Sequence, residues 1–306
     1  MTQTKIAQLK EKLAFGVSPA MATPVSEDGY QVNAAAIPAL VNFLISQGVK
    51  GLFVGGTTGE GVLFPLEERL KLHETTLAAA RGRVPVLLHV GTNNTRESVQ
   101  LAQHAAALGA EAIVAVTPYF YPMHDDGMVH YFQEVSAAAP DTPFFIYDIP
   151  QQAINGITPA IVPKLVAAIP TLAGMKTSRG DANAVRQIID ACPEALIILA
   201  GNESVALGLM TLGAHGLISG LATAIPEPYV ALTQAIERGD FAAARHYQRQ
   251  INQLLALLPA GARIGAIKSL LHQRGIPVGP AVPPPPQPAT GWSGLGKAPG
   301  NFKPTH

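Results

Sequence analysis

One lysine lies where the sequence predicts a buried strand. The stretch Leu172 to Ser178 is short and mostly apolar, and Lys176 falls near its C-terminal end. Buried strands of α/β proteins are rich in Val, Ile and Leu and seldom carry charge, because burial disfavours the ammonium form. A desolvated lysine amine is an effective nucleophile toward carbonyl groups. Lys176 is therefore a candidate nucleophile, although a lysine at a strand end can also extend its amine into solvent.

Two further groups with chemical capacity follow other predicted strands. A Gly-Gly-Thr-Thr-Gly-Glu loop with Thr57 and Thr58 comes after the second strand, and Tyr147 lies at the end of the fifth. Glycine-rich backbone N–H groups beside two hydroxyls can bind a carboxylate, and a tyrosine near a lysine can relay protons. Each also has an ordinary interpretation, as a plain turn and as a core residue. No Gly-Lys-Ser/Thr follows the loop, so a P-loop is not predicted.

A lysine, a proton relay and a carboxylate site together suit one reaction. The amine condenses with the keto group of a 2-keto acid, and the protonated imine then withdraws electrons, so that a C–C bond one carbon away breaks or forms. The sequence offers no His-Glu-x-x-His, no metal-site spacing and no support for a Ser/His/Asp triad, and His89 is interpreted as a core residue. We therefore expect neither a metal nor a cofactor.

Strand-like runs alternate with helical patterns along most of the chain. The strands are predicted at 16–22, 51–55, 84–90, 112–117, 143–149, 172–177, 196–200 and 216–221. The helices that follow them are predicted at 33–47, 66–80, 95–108, 130–138, 159–168, 181–191, 204–212 and 226–238. Unbroken alternation of this kind favours an α/β fold with a parallel sheet closed into a (β/α)8 TIM barrel. No Gly-x-Gly-x-x-Gly follows the first strand, which weakens a dinucleotide-binding alternative.

The sequence after the eighth strand holds more helix than a barrel needs. We expect a barrel core over 1–223, followed at 224–279 by the last barrel helix and a C-terminal helical extension. The extension would contain two helices, at 240–258 and 260–274. Residues 280–306 are rich in proline and lack apolar periodicity, which predicts a polyproline-like or poorly ordered tail without a function of its own.

The composition argues against nucleic-acid and membrane partners. The 306 residues are 48% hydrophobic and 14% charged, with a formal net charge of zero and a pI of about 7.1. There is no basic stripe and no apolar run of about 18 residues. The single cysteine, Cys192, predicts a reducing compartment, and Met1 to Leu13 lack the apolar segment of a secretion signal. We expect a soluble cytoplasmic protein, and its low charge density is weakly in favour of self-association.

Five short motifs are specific when they are taken together. They are Gly-Thr-Thr-Gly-Glu at 56–60, Thr-Pro-Tyr at 117–119, Tyr-x-x-Pro at 147–150, Gly-x-Lys at 174–176 and Gly-Asn-Glu at 201–203. From about residue 16 to residue 279, the chain resembles the dihydrodipicolinate synthase / N-acetylneuraminate lyase family of Schiff-base aldolases. The family is typically a homotetramer, often a dimer of tight dimers, so the resemblance implies the same assembly here.

The resemblance also implies a role for each group. Lys176 would form the imine with pyruvate or a pyruvyl product, and Tyr147 would relay the proton. Thr57 and Thr58 would bind the carboxylate through hydroxyl and backbone N–H groups, and Gly56 belongs to the same substrate-binding loop. Gly201 and Ile218 would line the lysine pocket through backbone groups. The substrates implied are a small-molecule 2-keto acid and an aldehyde.

The sequence departs from the synthase pattern at two positions. Gln152 stands where the synthases usually carry an arginine that binds the carboxylate of the second substrate, and glutamine cannot supply that bidentate fork. Phe120 stands where the synthases usually carry a tyrosine that crosses the dimer interface and joins the proton relay. The relay therefore lacks that hydroxyl unless Tyr119 or Tyr121 supplies it. Both departures count against synthesis of dihydrodipicolinate.

The expected function is that of a pyruvate-dependent aldolase of the sugar-acid type, acting on a 2-keto-3-deoxy sugar acid or a sialic-acid-like substrate. Side chains that could hydrogen-bond the hydroxyls of such a substrate are Ser178, Glu203, Ser204 and Ser219. Two alternatives remain open. One is a dihydrodipicolinate synthase with an altered site, and the other is a non-catalytic barrel that binds a keto acid.

Overall fold

The strands of this computed structural model, which describes residues 2–284 and 287, form one parallel sheet. They are β1 Val17–Pro19, β2 Leu52–Val54, β3 Val86–His89, β4 Ala112–Val116, β5 Phe144–Asp148, β6 Leu172–Thr177, β7 Ile197–Ala200 and β8 Gly216–Ser219. Each pairs in parallel with its neighbour from β2 round to β8, and β8 pairs with β1. A bridge between Ala20 and Phe53 joins β1 to β2 and completes the ring. The prediction of a (β/α)8 barrel is confirmed.

Helices separate the strands along the chain. They are α1 Thr2–Leu13, α2 Ile37–Ser46, α3 Leu66–Ala80, α4 Thr95–Ala107, α5 Asp125–Ala137, α6 Pro150–Ala153, α7 Val162–Ala168, α8 Ala182–Ala191, α9 Ala206–Thr211, α10 Glu227–Glu237, α11 Phe241–Ala256 and α12 Arg263–Gln273. The expected C-terminal helices are present as α11 and α12, after the last barrel helix α10. Over the described range, none of the helices has the length and apolarity needed to cross a membrane.

The first helix was not predicted from the sequence. Ile6, Leu9 and Leu13 of α1 are buried and pack with the side chains that fill the barrel interior. Their spacing places them on one face of a helix. Lys5 and Lys10 donate to the carbonyl groups of residues 141 and 194, which precede β5 and β7. This helix therefore covers the end of the barrel opposite the C-terminal ends of the strands.

A register irregularity in β6 determines which face of the sheet Lys176 occupies. Leu172 and Lys176 are four residues apart, so a regular strand would direct both to the same face. The pairing with β5 instead skips Ala173, because Phe144 opposes Leu172 while the next residue opposes Gly174. Leu172 consequently packs in the outer layer against the helices, whereas Lys176 points into the barrel interior.

The first residues of the predicted Pro-rich tail are buried against the barrel. Val25 N donates to the carbonyl of Val278 at 3.0 Å, and Lys268 Nζ donates to that of Pro280 at 2.7 Å. Val282 N donates to Glu60 Oε1 at 2.8 Å. The chain after α12 thus returns to the loop that follows β2. Apart from residues 280–284 and 287, the predicted tail lies outside the described residues.

Candidate active site

The amine of Lys176 is buried inside the barrel beside two aromatic rings. The residue is 4% exposed, and Nζ lies 3.9 Å from the centroid of the Tyr147 ring and 4.3 Å from that of Phe53. Burial lowers the pKa of Lys176 from its ordinary value of 10.5, and Tyr147 and then Glu203 oppose the shift. The site therefore raises the fraction of neutral amine, which is the form that attacks carbonyl carbon.

Tyr147 stands next to this amine and contacts the threonine loop. Tyr147 is the register partner of Lys176 across β5 and β6. Its hydroxyl lies 3.0 Å from Thr57 Oγ1, and either oxygen can donate. The two residues come from β5 and from the loop after β2, which do not pair with each other, so the contact spans the barrel interior. Two hydroxyls at this distance can pass a proton between them beside the Lys176 amine.

His89 belongs to the core around these groups, as the sequence interpretation held. The residue is 1% exposed, and Nε2 accepts a hydrogen bond from Val116 N at 3.3 Å. Burial, followed by the charges of Arg69 and Lys176, lowers the pKa of His89 well below 6.5. Deep burial, a backbone contact and a lowered pKa are typical of a neutral core imidazole.

Two glycines allow the threonine loop to enter the mouth of the barrel. A Cβ atom on Gly220, after β8, would lie 2.6 Å from Thr58 Oγ1. A Cβ atom on Gly56 would lie 2.1 Å from Cε1 of Phe53. Both distances are shorter than a carbon contact permits. The small residues therefore let Thr58 and the Phe53 ring approach the backbone at these points.

The predicted catalytic groups share one cavity of about 840 Å³ at the C-terminal ends of the strands. It is lined by Thr57, Thr58, Tyr147 and Lys176, together with Gly201 and Ile218. The other polar side chains of its lining are Gln151, Gln152, Ser178, Asn202, Glu203, Ser204 and Arg263. The structure thus brings together residues from five strand ends and from α12, as expected for the active-site face of a (β/α)8 barrel.

Four of the predicted site residues do not line this cavity. Gly56 and Tyr119 line an adjoining cavity of about 240 Å³ that shares residues with the first. Ser219 is fully buried behind the cavity wall. Tyr121 is 70% exposed, and its ring packs against that of Phe120 with centroids 4.9 Å apart. Of the two tyrosines that flank Phe120, Tyr119 is therefore the one placed beside the site.

Glu203 is held by protein groups. Its Oε1 accepts from Ser219 Oγ at 2.5 Å, from Leu221 N at 2.9 Å and from the Tyr229 hydroxyl at 3.3 Å. Its Oε2 forms an ion pair with Arg263. Glu203 was expected to hydrogen-bond the hydroxyls of the substrate. In the structure, its carboxylate oxygens instead bind mainly to groups of the protein. Arg263, which local sequence patterns did not single out, is brought to the site by α12.

A second network fixes the ends of β5 and β6. Asp148 is fully buried and accepts from Arg179 Nε at 2.7 Å and from Nη2 at 3.0 Å. Thr177 Oγ1 and Ile157 N each donate to the same carboxylate at 2.9 Å. Because Asp148 follows Tyr147 and Thr177 follows Lys176, this network holds the two strand ends in register. The network was not predicted from the sequence, although an acid next to the tyrosine was a signal.

The described part of the chain holds no group of three or more His, Cys, Asp or Glu side chains arranged to bind a metal ion. The chemistry available in the cavity is that of an amine, hydroxyls, amides and one ion pair. An amine of lowered pKa beside a phenol can form and hydrolyse an imine.

Comparisons with known proteins agree with this arrangement. The model of the dihydrodipicolinate synthetase family matches residues 14–291. A 4-hydroxy-tetrahydrodipicolinate synthase from an Exiguobacterium species is 34% identical over 276 residues, which are 90% of this chain and 93% of the relative. The synthase of Bacillus subtilis is 30% identical and covers 87% of this chain and 91% of its own length.

Solved structures with related sequences share the fold. A catalytic-lysine mutant of the Ruminococcus gnavus sialic acid aldolase superimposes with a TM-score of 0.87 at 30% identity, over 90% of this chain and 91% of the aldolase. The Escherichia coli prophage protein YagE, solved with pyruvate, gives a TM-score of 0.85 at 28% identity, over 90% of this chain and 94% of YagE. The chain therefore belongs to the dihydrodipicolinate synthetase family, whose members are class I, pyruvate-dependent lyases that form Schiff bases.

Proposed function

We propose that this protein is a pyruvate-dependent aldolase of the sugar-acid type, with Lys176 as the residue that forms the imine. One observation carries the assignment. A buried amine of lowered pKa shares a cavity with a phenol, and that phenol lies 3.0 Å from a threonine hydroxyl. These are the groups that imine chemistry requires, and the barrel brings them together from three separate strand ends.

In the proposed reaction, Thr57 and Thr58 bind the carboxylate of pyruvate. The neutral amine of Lys176 adds to the keto carbon, and the carbinolamine loses water to give an iminium ion. Tyr147 supplies the proton that leaves with that water and later removes a proton from the methyl carbon, with Thr57 as its hydrogen-bond partner. The resulting enamine attacks the aldehyde carbon while Tyr147 returns its proton to the aldehyde oxygen, and addition of water to the iminium carbon then releases the product and regenerates the neutral amine. Cleavage of a 2-keto sugar acid follows the same steps in reverse.

The choice of a sugar-acid substrate rests on the outer part of the cavity. Gln151, Gln152 and Asn202 present neutral amides there, and Ser178 and Ser204 present hydroxyls. Amides and hydroxyls pair well with the hydroxyls of a sugar acid. They do not provide the bidentate fork that a second carboxylate would favour, and the one guanidinium of this cavity lining, that of Arg263, is already paired with Glu203.

A synthase that condenses pyruvate with aspartate semialdehyde is the second candidate. The names of several similar proteins, including the Exiguobacterium and Bacillus subtilis relatives, favour it. The neutral side chain of Gln152 argues against it. Initial rates with pyruvate and either glyceraldehyde or aspartate semialdehyde separate the two candidates. Faster turnover of aspartate semialdehyde would reject the sugar-acid assignment.

Reductive trapping tests the role of Lys176 directly. Borohydride added with pyruvate is expected to leave a carboxyethyl group on Lys176, which mass spectrometry of peptides locates. Because burial lowers the pKa of the amine, the trapping rate plotted against pH should reach half its maximum below the ordinary value of 10.5. The Lys176→Ala variant should take up no label, and labelling of another lysine instead would reject the assignment.

We also infer that the protein assembles as a homotetramer. Exposed apolar side chains occur in the loops after β2, β4 and β5, where they would be covered by another subunit. They are Val62, Leu63, Phe120, Tyr121 and Ile154. Sedimentation equilibrium is expected to give four times the chain mass of 32.0 kDa. The Phe120→Asp variant should form smaller species, and a monomeric wild type would contradict the inference.

A further inference from the structure

Arg263 lies in the wall of the cavity that contains the reactive lysine. It is the first residue of α12, in the helical extension outside the barrel, and its side chain is 47% exposed. Among the residues that line this cavity, Lys176 and Arg263 are the two with cationic side chains. The second cationic side chain of the cavity therefore belongs to the C-terminal extension and not to the barrel.

The position of Arg263 is fixed from behind by a carboxylate that the protein already holds. Glu203 is 7% exposed, and Ser219, Leu221 and Tyr229 all donate to its Oε1. Its other oxygen pairs with Nη2 of the arginine. Within residues 2–284 and 287, this guanidinium donates to Glu203 and to no other acceptor, so Nε and Nη1 remain as donors at the half-exposed side.

The charge around Arg263 favours a neutral ligand. The ion pair with Glu203 has no net charge, and the neighbouring polar groups of the cavity, Gln152, Asn202 and Ser204, are uncharged. The Glu203 carboxylate offsets much of the attraction that the guanidinium would exert on a phosphate or a carboxylate. A hydroxyl can accept from the guanidinium without depending on that attraction.

We propose that Arg263 determines specificity by donating hydrogen bonds to the far hydroxyls of an uncharged polyhydroxylated aldehyde. This inference rests on the proposed aldolase function and specifies the substrate class of the same site. Lys176 holds the pyruvyl end, and Arg263 contacts the end of the aldehyde farthest from the new C–C bond. Glu203 acts through Arg263 as a positioning residue.

Pairs of aldehydes test this proposal. For aldol addition of pyruvate, the ratio of kcat/KM for glyceraldehyde to that for propionaldehyde is measured in wild type and in Arg263→Gln. The ratio should fall roughly ten- to hundredfold, as for the loss of a hydrogen bond from a charged donor. Arg263→Lys, which keeps the charge beside Glu203 but loses the planar fork, should give an intermediate ratio. A purely structural role would lower both rates equally and leave the ratio unmoved, which would overturn the proposal.

Controls separate this proposal from the assignment on which it rests. Arg245→Gln, at an exposed arginine on α11, should keep the wild-type ratio. Borohydride trapping of pyruvate on Lys176 shows whether each variant is folded and still forms the imine. If wild type itself traps no pyruvate, the proposed function fails. If trapping is retained and the ratio is unchanged in Arg263→Gln, the role of Arg263 alone fails. A wild-type preference for glyceraldehyde 3-phosphate over glyceraldehyde would overturn the claim that the ligand is neutral.

Discussion

Replacing Tyr147 with phenylalanine is expected to lower kcat for aldol addition by roughly 10²- to 10⁴-fold, the range for loss of a general acid–base group. The phenylalanine ring would keep the contacts that Tyr147 makes with Lys176 Nζ at 3.9 Å and with the Phe53 ring at 5.7 Å. The hydroxyl beside Thr57 would be lost. Steady-state kinetics with pyruvate and glyceraldehyde measure the effect, and borohydride trapping should still label Lys176, although more slowly.

A second buried tyrosine provides the control for this experiment. The hydroxyl of Tyr131 donates to the Thr92 carbonyl at 3.0 Å and contacts Ser98 Oγ at 3.1 Å, in the helix layer outside the barrel. Tyr131→Phe removes the same atom without touching the cavity, so its kcat should stay close to that of wild type. A kcat in Tyr147→Phe that matches the Tyr131→Phe value would contradict the relay.

Replacing Lys268 with methionine is expected to destabilise the protein by about 3–5 kcal/mol, as when one partner of a buried ion pair is removed. Lys268 Nζ lies 2.6 Å from Glu60 Oε2, and the two side chains are 1% and 0% exposed. Burial raises the pKa of Glu60, and Lys268 opposes that shift. Without the lysine, the carboxylate would remain buried and unpaired. The free energy of unfolding from urea titration measures the loss.

Two comparisons show whether the effect comes from the unpaired charge. The double variant Glu60→Gln with Lys268→Met should recover much of the lost stability, because no buried charge remains. Lys164→Met, which breaks the exposed pair between Lys164 and Asp126, should change stability little. Equal losses of stability in Lys268→Met and Lys164→Met would count against the role of burial.

Since Glu60 belongs to the threonine loop, Lys268→Met should also raise KM for pyruvate.

The candidate groups could be assigned to one end of the barrel because that assignment depends on topology. Lys176, Tyr147 and Thr57 each follow or end a predicted strand, and the ends of parallel strands meet at one face of a barrel. Alternation of strands and helices was sufficient to predict that face. The inward direction of Lys176, by contrast, depends on the irregular register of β6 and could not be predicted from the alternation.

Features that depend on long-range docking were not accessible in this way. Arg263 reaches the cavity because α12 packs on the barrel, and no local pattern encodes where a helical extension docks. The helix at Thr2–Leu13 was not predicted because its three buried apolar residues are spread through a polar segment. The ion pair of Asp148 with Arg179 joins residues 31 positions apart, and no local pattern links the two.

The skipped residue in β6 has a consequence for transferring this chemistry to other proteins. If β6 paired regularly from Leu172 onward, residue 176 would lie on the same face as Leu172 and would point toward the surrounding helices. In this strand, the irregularity at Ala173 gives the amine its access to the interior. A β6 segment transferred to a new scaffold must therefore keep that irregularity, whereas a lysine installed in a regular strand must replace an inward-facing residue.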